Sequence, residues 1–217
     1  MSDIVVLSWA FTGNPDQWKY LRESAARHRV PLTVSGAGIA WPDSGIFDYI
    51  LAGIRERSEK YLVLTDAYDV IVSRWDADEV ISMIDADPSG VIHSCECECW
   101  PPGEWCPRAY PEPHGVWFAV NGGQWCGTKD ALIADIEANL KYPTTSGGAN
   151  QERYHKMIAD GYPTGRDTEC RIFQSMSGRS SSLVERRNGR AYNTITGTFP
   201  QLLHFNGRTP GIESWSG

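Results

Sequence analysis

No stretch of about eighteen consecutive apolar residues occurs in this chain, so no membrane-spanning helix is expected. The opening MSDIVVLSW lacks the basic start and long apolar segment of a signal peptide, and a cytoplasmic protein without membrane association is the expectation. Positive charge is scarce: 20 Lys and Arg against 27 Asp and Glu leave a formal charge of −7. That balance argues against a protein that coats nucleic acid, because a phosphate backbone requires a basic face. Arg186, Arg187 and Arg190 form only a small local exception. Internal repeats and low-complexity tracts are absent. So is a glycine-rich basic loop after the first apolar run, which weighs against a nucleotidyltransferase. What remains, 217 residues at 41% hydrophobic and 22% charged, is enough for one good core and suits a single domain spanning 1–217.

Apolar runs alternate with helix-period stretches through the first half, the pattern of a parallel sheet with covering helices. DIVVLSW predicts a first strand; Trp18, Leu21 and Ala25 mark a helix; VPLTV predicts a second strand. Ile46, Ile50 and Ile54 share one helical face that leads into the third strand, YLVLT. A short helix near Val80–Ile84, a strand GVIHSC and a strand GVWFAV ending at NGG follow. TKDALIADIEANL predicts a helix capped by Thr128, and QERYHKMIAD another. ECRIFQ and QLLHF read as strands, and Asn188-Gly189 between extended flanks signals a hairpin.

In YLVLTDAYDVIV the apolar run breaks at Asp66, and a second carboxylate follows at Asp69. Open α/β sheets bind ligands beyond the carboxyl ends of their strands, and two acids delivered there can converge on one hard divalent cation that also holds phosphates. A turn cap and a solvated loop acid would use the same residues. His204 ends the apolar run QLL ahead of Asn206 and Gly207. Imidazole commonly joins carboxylates around manganese, so His204 is a third candidate ligand if the fold brings it near the aspartates.

Cysteines stand at 95, 97, 99, 106, 126 and 170. If the strand through IHSC continues, Cys95, Cys97 and Cys99 share one face. With Cys106 they would offer a structural Zn²⁺ site, although the CxCxC spacing departs from the usual two-residue interval. Packing thiols and disulfides are the alternatives.

YLVLTDAYDVIV, CWP (Cys99–Pro101), NGGQWCG (Asn121–Gly127), CRIFQ (Cys170–Gln174) and HFNGRTP (His204–Pro210) occur in the order found in the glycosyltransferase domain of procollagen lysyl hydroxylases. Over about residues 60 to 210 the chain resembles that domain and its viral and bacterial relatives. The resemblance implies an α/β GT-A (Rossmann-like) fold, a mixed sheet flanked by helices, with a UDP-sugar donor and Mn²⁺ bridging its diphosphate. Asp66, Asp69 and His204 match the metal ligands. Tyr68 matches a ring that packs on uracil, Trp9 joins the donor-binding set, and Gly207 and Arg208 fall where the last loop meets the pyrophosphate. Arg208 replaces the usual Pro there and offers phosphate a positive charge. Trp100 and Asn121 match positions lining the sugar and acceptor pocket. Where the family carries a run of aspartates before a Gln, this sequence has Gly148, Ala149, Asn150 and Gln151. Asn150 therefore stands where an acid would serve the sugar or the catalytic step, and an amide cannot take a proton as a carboxylate does; capping the helix that follows is its other use. The implied activity is transfer of a hexose, glucose or galactose, to an acceptor hydroxyl with retention. A hydroxymethylated DNA base as acceptor, or a catalytically silent sugar-nucleotide or glycan-binding module, are the alternatives.

Overall fold

A computed structural model describes residues 3–11, 14–36, 46–112, 115–144, 149–207 and 209–215. IVVLSW forms β1 (Ile4–Trp9), and all six residues are buried, as befits a strand covered on both faces. Next come α1 (Lys19–Arg27), β2 (Leu32–Ser35), α2 (Ile46–Arg55), β3 (Tyr61–Asp66), β4 (Val70–Val72) and α3 (Ala77–Ala86). β5 (Val91–Glu96), the short α4 (Cys106–Ala109), β6 (Ala119–Thr128), α5 (Lys129–Asn139) and α6 (Ala149–Ala159) follow. The last part comprises β7 (Gly165–Asp167), β8 (Phe173–Ser175), β9 (Val184–Arg187), β10 (Arg190–Asn193), β11 (Leu202–His204) and α7 (Ile212–Trp215).

The main sheet has the order β2-β1-β3-β6-β5-β7. Only β6 runs against its neighbours; the other pairings are parallel. A second sheet, β4-β11-β8, stacks its short strands beside the carboxyl end of β3. Alternation along β1 feeds two cores. Val5, Leu7 and Trp9 pack with Phe47, Ile50 and Ile54 of α2 and with Leu132 and Ile136 of α5. Ile4 and Val6 face Leu21 of α1 and Val80 and Ile84 of α3. Each fully buried Leu or Val contributes roughly 1.5–3 kcal/mol, so the strand runs that place the site are also those that stabilise the fold. Among the described residues no helix is long and apolar enough to cross a membrane.

The expected helices and early strands form with shifted ends, and Thr128 caps α5 through the Ala131 N–H at 3.4 Å. Asn188 (φ 51°) and Gly189 (φ 76°) turn the β9–β10 hairpin. One boundary differs in kind: the strand starts at Ala119 and runs through NGG to Thr128. Those glycines serve close approach rather than a turn, for a Cβ on Gly122 would lie 3.1 Å from Gln151 Cβ and one on Gly123 would lie 2.3 Å from His204 Cε1. β7 carries no sequence pattern; its Asp167 side chain accepts the backbone N–H groups of Arg171, Ile172 and Phe173 at 2.7–2.9 Å.

The zinc expectation is corrected. Cys99 and Cys106 are joined in a disulfide, while Cys95 and Cys97 pack with Trp117 and Cys170 in an apolar cluster. β5 ends at Glu96, so Cys99 leaves the strand face on which a four-thiolate site depended.

Candidate active site

Residues Tyr61–Thr65 of β3 are buried, and Asp66 emerges at the strand's carboxyl end opposite Trp9 of β1. A tight turn through Ala67 and Tyr68 brings Asp69 to the start of β4. β4 pairs with β11 so that Val70 lies beside His204, and the Asp69 carbonyl accepts the Phe205 N–H at 2.8 Å. Local register thus places three distant side chains together. His204 Nε2 lies 3.4 Å from Asp66 Oδ2 and 3.3 Å from Asp69 Oδ1. One donor atom from each of the three falls within 4.8 Å of the others.

The tautomer of His204 follows from its other contact. Asn121 Oδ1 accepts the Gly123 N–H at 3.0 Å, and its Nδ2 donates to Glu96 Oε2 at 3.1 Å. The oxygen therefore faces His204, whose Nδ1 donates to it at 3.1 Å. Nε2 is left to present a lone pair between two carboxylates, the geometry by which an oriented imidazole serves as a metal ligand. Gly123 completes the cradle: a Cβ there would stand 2.3 Å from His204 Cε1 and 2.6 Å from Asp66 Oδ2. Two carboxylate oxygens and one imidazole suit manganese or a similar divalent ion. In the metal-free state burial pulls the His204 imidazole down, but Asp69 and Asp66 outweigh it and carry it to about 10. The protonated ring then holds the charge that a cation would supply.

Glu96, at the end of β5 and 5% exposed, lies beneath this cluster. Its carboxylate accepts from the side-chain amides of Asn121 and Asn206, at 3.1 and 2.8 Å, and from Gln151. Gln151 in turn accepts the Gly122 N–H at 2.8 Å and donates to the Trp100 carbonyl at 2.6 Å. His155 supports the same carbonyl through Nε2 at 2.8 Å, its Nδ1 meeting the Tyr110 hydroxyl at 2.8 Å. Burial holds His155 neutral, near 4. Burial also pushes Glu96 up to about 7 against the pull of its amide donors. One acid thereby connects β5, β6, α6 and the loop after β11.

Beside the carboxylates opens a cavity of ≈ 410 Å³, walled by Trp9, Phe11, Phe47 and Tyr68 and reaching Asp66 and Asp69. Aromatic faces next to a charged end suit a ligand with a planar ring and an anionic tail. Asn150 also lines it. Helix α6 starts at Ala149, so Asn150 lies within the first turn rather than capping it, and its carbonyl accepts from Asn139 Nδ2 at 3.2 Å. The structure thus gathers Trp9, Asp66, Tyr68, Asp69 and Asn150 around one cavity, with Asn121 and His204 directly behind the acids. Gly207 occupies the adjoining turn at φ 67°, a conformation that favours glycine. Trp100 is not in the cavity wall; the residue is 62% exposed and its carbonyl is what is tied to the site. Arg208 lies outside the described residues. Glu96, between Cys95 and Cys97, belongs to none of the motifs that mark the site in the sequence. An acid closing the apolar run VIHSC was the available signal, the same one that singled out Asp66.

A mixed sheet with an acid pair at the carboxyl end of a central strand, beside an aromatic cavity, is the architecture of a GT-A glycosyltransferase. The chain belongs to the PLOD GT domain family, whose model matches residues 2–211. It is also similar in fold to a solved glycosyltransferase involved in the glycosylation of the major capsid of PBCV-1, with a TM-score of 0.57 and 14% identity. That similarity covers 98% of this chain and 96% of the other. No curated protein matches the chain. Family and fold together make this a glycosyltransferase domain of the lysyl hydroxylase type with a GT-A fold.

Proposed function

We propose that the chain, acting as one catalytic domain over 1–217, transfers a hexose, glucose or galactose, from a UDP-sugar to an acceptor hydroxyl in a manganese-dependent reaction. The observation that carries this reading is His204 Nε2, oriented by Asn121 and facing both Asp66 and Asp69 at the end of an aromatic cavity. A divalent ion bound there would neutralise the donor's diphosphate and the charge that builds on UDP as it leaves. The remaining work falls to side chains of this chain. Tyr68 and Trp9 supply faces for the uracil, and Gly207, without a Cβ, lets the backbone approach the phosphates. Arg208 adds positive charge to that loop. Asn121 and Glu96 hold His204 and the amides around it in one arrangement, so little reorganisation accompanies the reaction. Trp100 offers an exposed indole at the rim for the acceptor.

Asn150 cannot act as a general base, so its amide is assigned to hydrogen bonding with the sugar, and the transfer is proposed to retain the anomeric configuration. The absence of a carboxylate at this cavity position also favours a second reading, a sugar-nucleotide-binding module without turnover. A screen of UDP-sugars for UDP release, with NMR of the anomeric proton in the product, separates the two. UDP release from UDP-glucose or UDP-galactose and a retained product are expected. Saturable UDP-sugar binding with no release from any donor would leave the module reading, and an inverted product would remove retention.

A further inference from the structure

A second cleft, of ≈ 250 Å³, is lined by Arg74, Glu79, Arg171, Arg190, Thr198 and Phe199. It lies at the other end of the small sheet from the candidate metal ligands. Val70 pairs with His204 at one end; Val72 pairs with Leu202 at the other, with Arg74 and Phe199 just beyond. Its three arginines come from separate segments: Arg74 follows β4, Arg171 precedes β8 and Arg190 opens β10. Glu79 is the one carboxylate of the lining, and both its oxygens are engaged, by Arg74 Nη2 at 2.5 Å and Arg171 Nη2 at 3.0 Å. Arg74 is further held through Nε by the Phe199 carbonyl. Arg190 has no ion-pair partner among the described residues. Three guanidiniums and one carboxylate line the cleft, with the Asp167 carboxylate also near enough to Arg171 to feel its charge, so the lining is net positive on a chain whose formal charge is −7. The local field reaches α1, where burial, Arg27 and Arg190 together hold the His28 imidazole below its usual range.

Planar guanidinium forks match the spacing of oxyanion oxygens, and forks already fixed by protein bonds lose little further freedom on binding. Here Glu79 orients two of the three, while Arg190 remains available to close on a ligand. We propose that this cleft binds a phosphate group, as free phosphate or as the phosphoryl group of a larger ligand. The negative charge of a phosphate answers the excess of guanidiniums in the lining, and Phe199 gives a carbon-bearing substituent an apolar wall. The proposal does not depend on the donor reading, since it concerns a separate cleft.

Calorimetric titration of the whole chain tests it, with inorganic phosphate and with phenyl phosphate as probes. EDTA is included so that no metal bound by Asp66 and Asp69 offers phosphate a second site. One phosphate per chain is expected, weakened about tenfold or more by Arg171→Gln and by Arg190→Gln. Lys141→Gln should leave binding unchanged, added salt should weaken it, and melting of each variant without phosphate verifies that it folds. Tighter binding of phenyl phosphate assigns the site to a phosphoryl group on a larger molecule; equal or weaker binding assigns free phosphate. No saturable binding at millimolar probe, or binding that survives the Arg171→Gln/Arg190→Gln double variant, overturns the proposal.

Discussion

Glu96 is the residue on which the site's polar connections converge, since three side-chain amides from three segments donate to it. Replacing it by Gln substitutes an N–H group for one acceptor, so one of Asn121, Gln151 or Asn206 must turn away. By the usual cost of disturbing groups that orient metal ligands, Glu96→Gln should lower activity or manganese affinity about 10–100-fold. The same residue predicts a pH effect on stability. Its folded value of about 7 stands above the ordinary 4.5, so between these the native state holds a proton that the unfolded chain has released. Stability therefore falls as pH rises through that window. Urea unfolding across it should show wild type losing stability relative to Glu96→Gln, and a constant difference between the two would contradict the assignment. Asp66 and His204 were legible in the sequence because each ends an apolar run, and Asp69 because it follows Asp66 by three residues. Glu96 ends one as well, but the surrounding cysteines offered a competing explanation. No spacing rule could place it against Asn121, Gln151 and Asn206, whose contacts exist only after four segments have packed.

At the scale of elements, β6 shows how far a strand's glycines depend on what lies beyond it. Gly123 is required by His204 and Asp66, not by its own turn geometry, so Gly123→Ala must displace the imidazole. Overpacking there should cost about 1–3 kcal/mol and weaken manganese binding, read by electron paramagnetic resonance, about tenfold or more. Gly122→Ala, whose Cβ would meet the Gln151 Cβ at 3.1 Å, should be milder. A strand ending at NGG was the natural reading because Asn-Gly so often marks a turn; the register with β3, continuous from Tyr61↔Thr128 to Thr65↔Gln124, overrides it. The junction of the two sheets rests on Asp167, which joins β7 to β8 through three backbone N–H groups. Asp167→Asn would set an amide donor against those donors, and a loss of about 1–3 kcal/mol in chemical denaturation is expected. Three-residue strands such as β7 and β8 carry too few side chains for a period to register, which is why β7 was not foreseen. The six-residue β1 and β3, buried on both faces, were plain as apolar runs.

At the scale of the whole molecule, a parallel-leaning sheet brings β1 and β3 to one edge, and a small second sheet brings β11 back to it across more than a hundred residues. The order of the motifs along the chain implied this meeting, and the register of β4 with β11 accomplishes it. The overall negative charge is distributed unevenly. Acids gather at the candidate metal centre, while three arginines face one carboxylate in the far cleft. The central claim is that the acid–imidazole cluster holds the metal on which donor cleavage depends. The rate of UDP release from the preferred UDP-sugar, measured against manganese concentration in wild type and Asp69→Ala, tests it most directly. The account predicts saturable activation by manganese in wild type and loss of that activation in Asp69→Ala, with the variant still folded. Release that needs no divalent metal, or activation that persists unchanged in Asp69→Ala, would contradict it.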